Sequence, residues 1–442
     1  MAELILEGGT VVTRRRVGPA AVRIRDGRIV RVGPRGGRRA RRENAKGLLI
    51  LPGAVDAHVH FALPVAGTRS ADDFLSGSRA ALAGGVTTFV DFTVGRPDLA
   101  LPEAVEARLK EAQPSMADYA LHVEMIGWTP ERAREIRACA ELGLRSFKFY
   151  LAYSDSGRRT DLRTLRAAME TIREIGGVAM VHAEADELVE PKKGPFPWAR
   201  PAASEETAIL EVGVLARETG CSTYIAHISS ALGLGALRWA QRQGAPIVGE
   251  TCPHYLLLDQ SVYERPDGHL FSVTPPLREP RDREALWEAL RRGLLRAVAT
   301  DHCPFSRAQK DPYRGEPGRL PSGLPGVETL LVLLHSEGVA KGRLTLGQLV
   351  GYACEGPARA FGLWPRKGTL RPGADADLVL LDPKARWNLR AQNLHMNTDF
   401  SPYEGLEVQG RVVGVLSRGE WVYRDGEILA QPGRGQFIPW QS

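Results

Sequence analysis

Ala54-Val55-Asp56-Ala57-His58-Val59-His60-Phe61 continues an apolar run, Leu48-Leu49-Ile50-Leu51-Pro52-Gly53. Side chains alternate faces along a strand, so His58 and His60 are expected on one side of its end. Two imidazoles side by side at the end of a buried strand make half of a metal site. Two hydrogen-bonded core histidines would read the same way in isolation, so the pair has to be weighed against the rest of the chain.

The pair heads a series. Strand-like apolar runs are read at 54–60, 86–92, 119–126, 145–151, 178–182, 222–227, 246–251 and 297–300. Helical patterns follow most of them, at 72–83, 130–142, 161–175, 204–219, 231–243 and 281–292. Eight strand–helix units in succession predict an α/β protein with a closed (β/α)8 TIM barrel. A doubly wound open sheet would want a glycine-rich phosphate turn after the first strand. That position holds His58-Val59-His60 instead.

Both ends have a different texture. Leu4-Ile5-Leu6, Gly9-Thr10-Val11-Val12, Ala21-Val22-Arg23-Ile24 and Arg28-Ile29-Val30-Arg31-Val32 are short β-like runs, with Asp26-Gly27 as a hairpin signal. The runs 377–381, 410–416 and 420–423 match them, with Asp425-Gly426 as a second hairpin. One small β-sandwich built from both termini is expected. The domains are then 1–52 (sandwich, first part), 53–366 (barrel) and 367–442 (sandwich, second part and tail). A chain of 442 residues suits that division.

Composition narrows the class. The excess of 58 Lys and Arg over 52 Asp and Glu is modest. The basic clusters at Arg14-Arg15-Arg16 and at Arg35, Arg38, Arg39, Arg41 and Arg42 carry no interleaved aromatic residues to stack bases. They read as solvated turns, and no nucleic-acid partner is expected. No run approaches the ~20 apolar residues of a membrane span, and no secretory signal is seen. The five cysteines are scattered, which points to a reducing, cytoplasmic location.

In a barrel of this kind function gathers at the C-terminal ends of the strands. Those ends hold His58, His60, Asp91, Lys148, His182, His227, Glu250 or His254, and Asp301. His122, His269, His335 and His395 lack that placement and read as structural or surface residues. Lys148 lies inside Ser146-Phe147-Lys148-Phe149-Tyr150, where a charge is costly to bury unless it is paired or neutralised. Its plain reading is a buried Lys–Asp pair; its functional reading is a modified or deprotonated amine near cations. An aspartate ending the eighth strand, Asp301, can ligate a metal and move a proton. Cys303 reads as a packing residue rather than a nucleophile.

Together these residues resemble the amidohydrolase superfamily, and within it the dihydropyrimidinase/hydantoinase group of cyclic amidohydrolases. The resemblance runs nearly end to end. It is carried by 55–60 (VDAHVH), 67–74 (GTRSADDF), 80–92 (AALAGGVTTFVDF), 146–153 (SFKFYLAY), 181–184 (VHAE) and 226–230 (AHISS). It continues through 250–256 (ETCPHYL), 301–305 (DHCPF), 323–328 (GLPGVE) and 401–405 (SPYEG).

The resemblance implies a binuclear site with two divalent ions, usually Zn2+. Lys148 would be carboxylated by CO2, and its carbamate would bridge them. His58, His60, Lys148 and Asp301 would hold one ion; Lys148, His182 and His227 the other. A bridging hydroxide would attack the ring carbonyl of a dihydropyrimidine or 5-substituted hydantoin, giving an N-carbamoyl amino acid. Asp301 would shuttle the proton, and Tyr153 would help hold the oxyanion. Backbone around Thr274-Pro275-Pro276 and Ser322-Gly323 would grip the ring. Ser322 stands where relatives carry an asparagine. Phe61, Leu63, Pro64 and Val65 would give the pocket an apolar lining.

Allantoinase and dihydroorotase share this scaffold. Dihydroorotases typically carry an arginine just after the second histidine; here Phe61-Ala62-Leu63 follows His60. Non-catalytic scaffold relatives typically lose metal ligands, and this chain retains all six. A homotetramer, or a homodimer, is implied in the same way.

Overall fold

The computed structural model describes residues 3–34, 40–129 and 131–441. Arg35, Arg38 and Arg39 of the second basic cluster, and Pro130 at the head of an expected helix, lie outside the described residues.

The barrel strands are β1 (Ala54–Asp56), β2 (Val86–Phe92), β3 (Asp118–Glu124), β4 (Ser146–Tyr150), β5 (Val178–His182), β6 (Ser222–Ile225), β7 (Ile247–Thr251) and β8 (Ala297–Val298). Each pairs in parallel with its sequence neighbour, giving one eight-stranded sheet in chain order. Every residue of β2, β3, β4 and β5 is buried, because helices cover the outer face and side chains fill the inner one. That double burial explains the continuous apolar runs.

The seam between β1 and β8 closes differently. Asp56 accepts hydrogen bonds from the Thr300 amide (3.0 Å) and hydroxyl. An isolated parallel bridge joins Val59 to His302, and the His60 amide donates to the His302 carbonyl at 2.8 Å.

Local chemistry starts the outer helices. Asp73 caps Phe74–Ala83 by accepting from the Leu75 and Ser76 amides, and Ser76 completes a capping box. Asp161 caps Leu162–Glu174, which buries Leu165, Ala168, Met169 and Ile172 at helical spacing. A helix at Leu101–Glu111 was not expected from the sequence. Beyond β8 the chain runs through short helical pieces, among them two π-helical turns at Leu334–Ala340 and Gly351–Glu355.

The two ends interleave in one β-sandwich. Its seven-stranded sheet places the N-terminal strand Leu49–Pro52 between the C-terminal strand Leu378–Asn388 and Thr10–Val12. A four-stranded sheet of Arg28–Gly33, Ala21–Arg25, Glu3–Glu7 and Arg41–Asn44 faces it. Leu6, Val22, Ile24, Ile50, Leu378 and Leu416 pack between them.

The final residues leave the sandwich and strap the N-terminal end of the barrel. Gly435 donates to Ser115 O (2.9 Å), Ile438 to Tyr119 O (2.7 Å) and Trp440 to Gly143 O (2.9 Å). Among the described residues, no helix is long and apolar enough to cross a membrane.

Candidate metal centre

The regular strand β1 ends at Asp56, so His58 and His60 lie just beyond it rather than on it as expected. The amide of His58 donates to Asp56 Oδ1 (3.3 Å), and the bridge at Val59 keeps the backbone beside β8. The two rings still converge, with centroids 5.1 Å apart. His58 Nε2 lies 3.2 Å, and His60 Nε2 3.1 Å, from the same Asp301 oxygen. One ligand atom from each of these three residues falls within 4.8 Å of the others.

The second half gathers beside it. His182 Nδ1 is 3.0 Å from His227 Nε2, so two imidazole nitrogens face one point. His182 Nε2 is tied to Glu184 Oε2 at 2.7 Å, and Arg200 Nη2 holds that carboxylate at 2.6 Å. His58 Nδ1 is tied in the same manner to Glu250 Oε1 at 2.6 Å. A carboxylate behind an imidazole fixes its orientation and its tautomer, leaving the other nitrogen free to ligate.

Lys148 is 1% exposed and makes no ion pair among the described residues, so the Lys–Asp pair of its plain reading is not found. Its Nζ lies 5.2 Å from the centre of the Phe92 ring. Burial pulls its pKa down to about 8, against the opposing pull of Asp301, Glu250 and Glu124. Burial also presses His58 and His227 well below the usual imidazole range. The imidazoles at 58 and 60 hold the Asp301 carboxyl below the ordinary value against the opposing effect of burial.

Several buried nitrogens here have no hydrogen-bond partner: His58 Nε2, His60 Nδ1, His227 Nδ1 and His254 Nε2. Such orphans are rare in folded proteins and cost about 1–3 kcal/mol each. Buried imidazoles, a low-pKa carboxylate and the orphaned His58 Nε2 that faces it fit a divalent cation.

Backbone strain gathers at the same residues. Tyr153 (φ 74°), His227 (φ 37°) and Asp301 (φ 50°) all adopt left-handed backbone without being glycine. Such conformations cost on the order of 1–3 kcal/mol each and collect at functional sites.

These groups line one cavity of about 450 Å3. It brings together His58, His60, Lys148, His182, His227 and Asp301, and adds Tyr153, Thr274 and Ser322 from the expected set. The Tyr153 hydroxyl donates to Thr274 Oγ1 at 2.9 Å, and burial pushes its pKa up to about 12, so it stays a donor. Leu63, Pro64 and Val65 form the apolar wall.

Two expectations are corrected. Phe61 does not reach the cavity: it is fully buried against Phe74, Phe89 and His302. Asp91, although near a strand end, accepts from the Phe61 amide (2.9 Å) and pairs with Arg108 (2.6 Å), so it braces the loop behind the site.

The sequence reading missed the supports. Glu184 carried a signal, since it sits two residues beyond His182; Arg200 carried none. Lys310 is fully buried and donates to Leu270 O (2.9 Å), Ser272 O (3.2 Å) and Gly323 O (2.8 Å), tying together the segments that carry Thr274 and Ser322. Gly323 is required there: a Cβ would come 2.3 Å from Cys303 O. Burial pushes the Cys303 thiol far up, which suits packing and not nucleophilic attack.

Comparison with known proteins adds the lineage. The amidohydrolase family matches residues 49–422. A D-phenylhydantoinase of Escherichia coli is 40% identical over 410 residues, covering 89% of this chain and 88% of that protein. The crystal structure of dihydropyrimidinase from Brevibacillus agri superposes with a TM-score of 0.96 at 32% identity, covering 99% of both chains. A D-hydantoinase structure from a Bacillus species gives a TM-score of 0.96 at 36% identity, covering 99% of both chains.

Proposed function

The chain belongs to the amidohydrolase family and is a cyclic amide hydrolase of the hydantoinase and dihydropyrimidinase type, and from that premise we propose how its site works. His58, His60, Lys148 and Asp301 hold one divalent ion, and Lys148, His182 and His227 hold a second, with zinc as the natural occupant. Lys148, carboxylated by CO2, would supply a carbamate to both ions. The support is its burial without a counter-ion and an amine pulled toward neutrality, the form that reacts with CO2. Bound there, the ions supply an activated water and a Lewis acid.

The chain's own groups do the rest. Asp301, ionised and held between two imidazoles, accepts the proton of the attacking water and delivers it to the leaving ring nitrogen. The Tyr153 O–H donates to the oxygen of the tetrahedral centre. Glu250 and Glu184 hold His58 and His182 in their ligating tautomers. The main chain at Thr274 and Ser322 positions the ring. The substrate is a dihydropyrimidine or a 5-substituted hydantoin, opened to an N-carbamoyl amino acid.

The convergence of His58, His60 and Asp301 on one point carries this reading. Metal analysis of purified protein, with a panel of dihydrouracil, hydantoins, allantoin and dihydroorotate, tests it. Two metals per chain and fastest opening of hydantoins or dihydrouracil are expected. No bound metal, and no activity after adding zinc, manganese or cobalt with bicarbonate, would overturn it. Faster turnover of allantoin or dihydroorotate would reassign the substrate.

The same proposal keeps the domain limits at 1–52, 53–366 and 367–442 and assembles the chain as a tetramer. It also places the protein in the cytoplasm, supported by five buried, unbridged cysteines.

A further inference from the structure

Arg158 is the one arginine lining the cavity, and Asp301 the one carboxylate, among the described residues. Arg158 sits in the turn after β4, and its amide donates to Tyr153 O at 3.1 Å. The turn is thereby closed onto the residue that faces the reacting carbonyl.

Behind Arg158 stands Glu124, at the end of β3 and 1% exposed. Its carboxylate is fully engaged. Oε1 accepts from the Tyr150 hydroxyl (2.8 Å) and from Arg158 Nη1, and Oε2 accepts from the Gly95 amide (2.7 Å). Glu124 thus fixes the guanidinium by one nitrogen and shares its own charge with two other donors.

A guanidinium has five N–H donors. The bond to Glu124 is the hydrogen bond of the Arg158 side chain among the described residues. Its other nitrogens are not among the buried orphans, in contrast to those of Arg108, Arg132 and Arg278. The side chain is 26% exposed, and what it meets is the cavity. Leu63, Val65 and Ala66 line the same cavity and offer no competing charge. A planar, pre-oriented fork with free donors at the edge of a largely apolar pocket matches a carboxylate.

We propose that Arg158 is a specificity-determining residue that selects cyclic amides whose exocyclic substituent carries a carboxylate. This rests on the ring-opening reading above. The apolar wall takes the methylenes of the substituent, and Arg158 takes its charged end.

The test compares two hydantoins of equal size, 5-(2-carboxyethyl)hydantoin and its neutral amide, on metal-loaded wild type, Arg158→Met and Arg158→Lys. The ratio of their kcat/KM values cancels any general damage. We expect wild type to favour the acid about tenfold or more, through KM, as one charge-assisted hydrogen-bond pair supplies. The preference should vanish in Arg158→Met and be partly kept in Arg158→Lys. A ratio near one in wild type, or the same ratio in Arg158→Met, would overturn the assignment and leave Arg158 as a brace for Glu124. Calorimetric binding of the same pair gives a second readout. If no hydantoin is opened, the ring-opening reading fails, and selective binding of the acid that depends on Arg158 would still uphold the role of this residue, whereas equal binding would end it.

Discussion

Two lysines buried to the same degree have opposite surroundings. Lys367, where the barrel meets the sandwich, sits among three carboxylates: Asp118 at 2.5 Å, Asp377 at 2.8 Å and Asp375 at 3.0 Å. Lys148, at the other end of the barrel, has no ion pair among the described residues. At the junction every charge is answered by the fold itself. At the mouth, a lysine and several imidazole nitrogens are desolvated and left open. Burial without pairing is expensive, so folding alone does not account for the mouth. It becomes reasonable if a cation and a carbamate complete it.

That contrast can be broken. If Lys148 joins two metals as proposed, Lys148→Ala should lower kcat/KM by at least about 10^3-fold, several kcal/mol. It should not lower the melting temperature of the metal-free protein, since it removes an unpaired buried amine. Short carboxylic acids should restore part of the activity. Retained activity with a lowered Tm would place Lys148 in the same class as Lys367.

Lys367→Met should behave the other way. It takes away the one cation that Asp118, Asp375 and Asp377 share, and removing one partner of a buried network costs about 3–5 kcal/mol. Denaturant unfolding should show that loss, while kcat of the folded fraction stays near wild type. A large fall in kcat without loss of stability would contradict the comparison.

The remaining tests sharpen it. Glu184→Gln keeps the shape behind His182 but weakens its anchor, and should cost about 10–100-fold in metal affinity. Zinc titration of the metal-free protein reads this directly; unchanged affinity would show that Glu184 serves Arg200 alone. Lys310 is an intermediate case, a buried amine answered by three neutral carbonyls. Lys310→Met should raise KM about tenfold with a smaller effect on kcat, as the ring-gripping segments lose a tie worth about 1–3 kcal/mol. An equal fall in kcat and kcat/KM would instead put it in the transition state.

The barrel was legible because its strands are buried on both faces and their apolar runs are continuous. The helix at Leu101–Glu111 was not, since a buried arginine, Arg108, completes its inner face through Asp91. Sequence patterns see the charge and not the partner. Phe61 misled for a related reason. It follows His60 directly, but the backbone beyond the bridge at Val59 turns it into the core. The C-terminal residues read as a tail, yet 435–441 strap the barrel through backbone hydrogen bonds, which leave no trace in side-chain type.

The sequence by itself determined the order of the strands and roughly where each one ends, although β1, β6 and β8 stop at Asp56, Ile225 and Val298, short of the histidines and the aspartate that follow them. A barrel closes those ends into one ring, so periodicity and residue type bring candidate groups scattered over 244 positions, from His58 to Asp301, to one rim, and the family resemblance implies their division between two ions. Tertiary structure alone decided what stands behind them. Glu250 behind His58, Arg200 behind Glu184, Glu124 behind Arg158 and Lys310 beneath Gly323 are contacts between segments distant in the chain. A candidate ligand is named by its place at or just beyond the end of its own strand. Its orientation, charge state and selectivity are set by neighbours that only the closed barrel supplies.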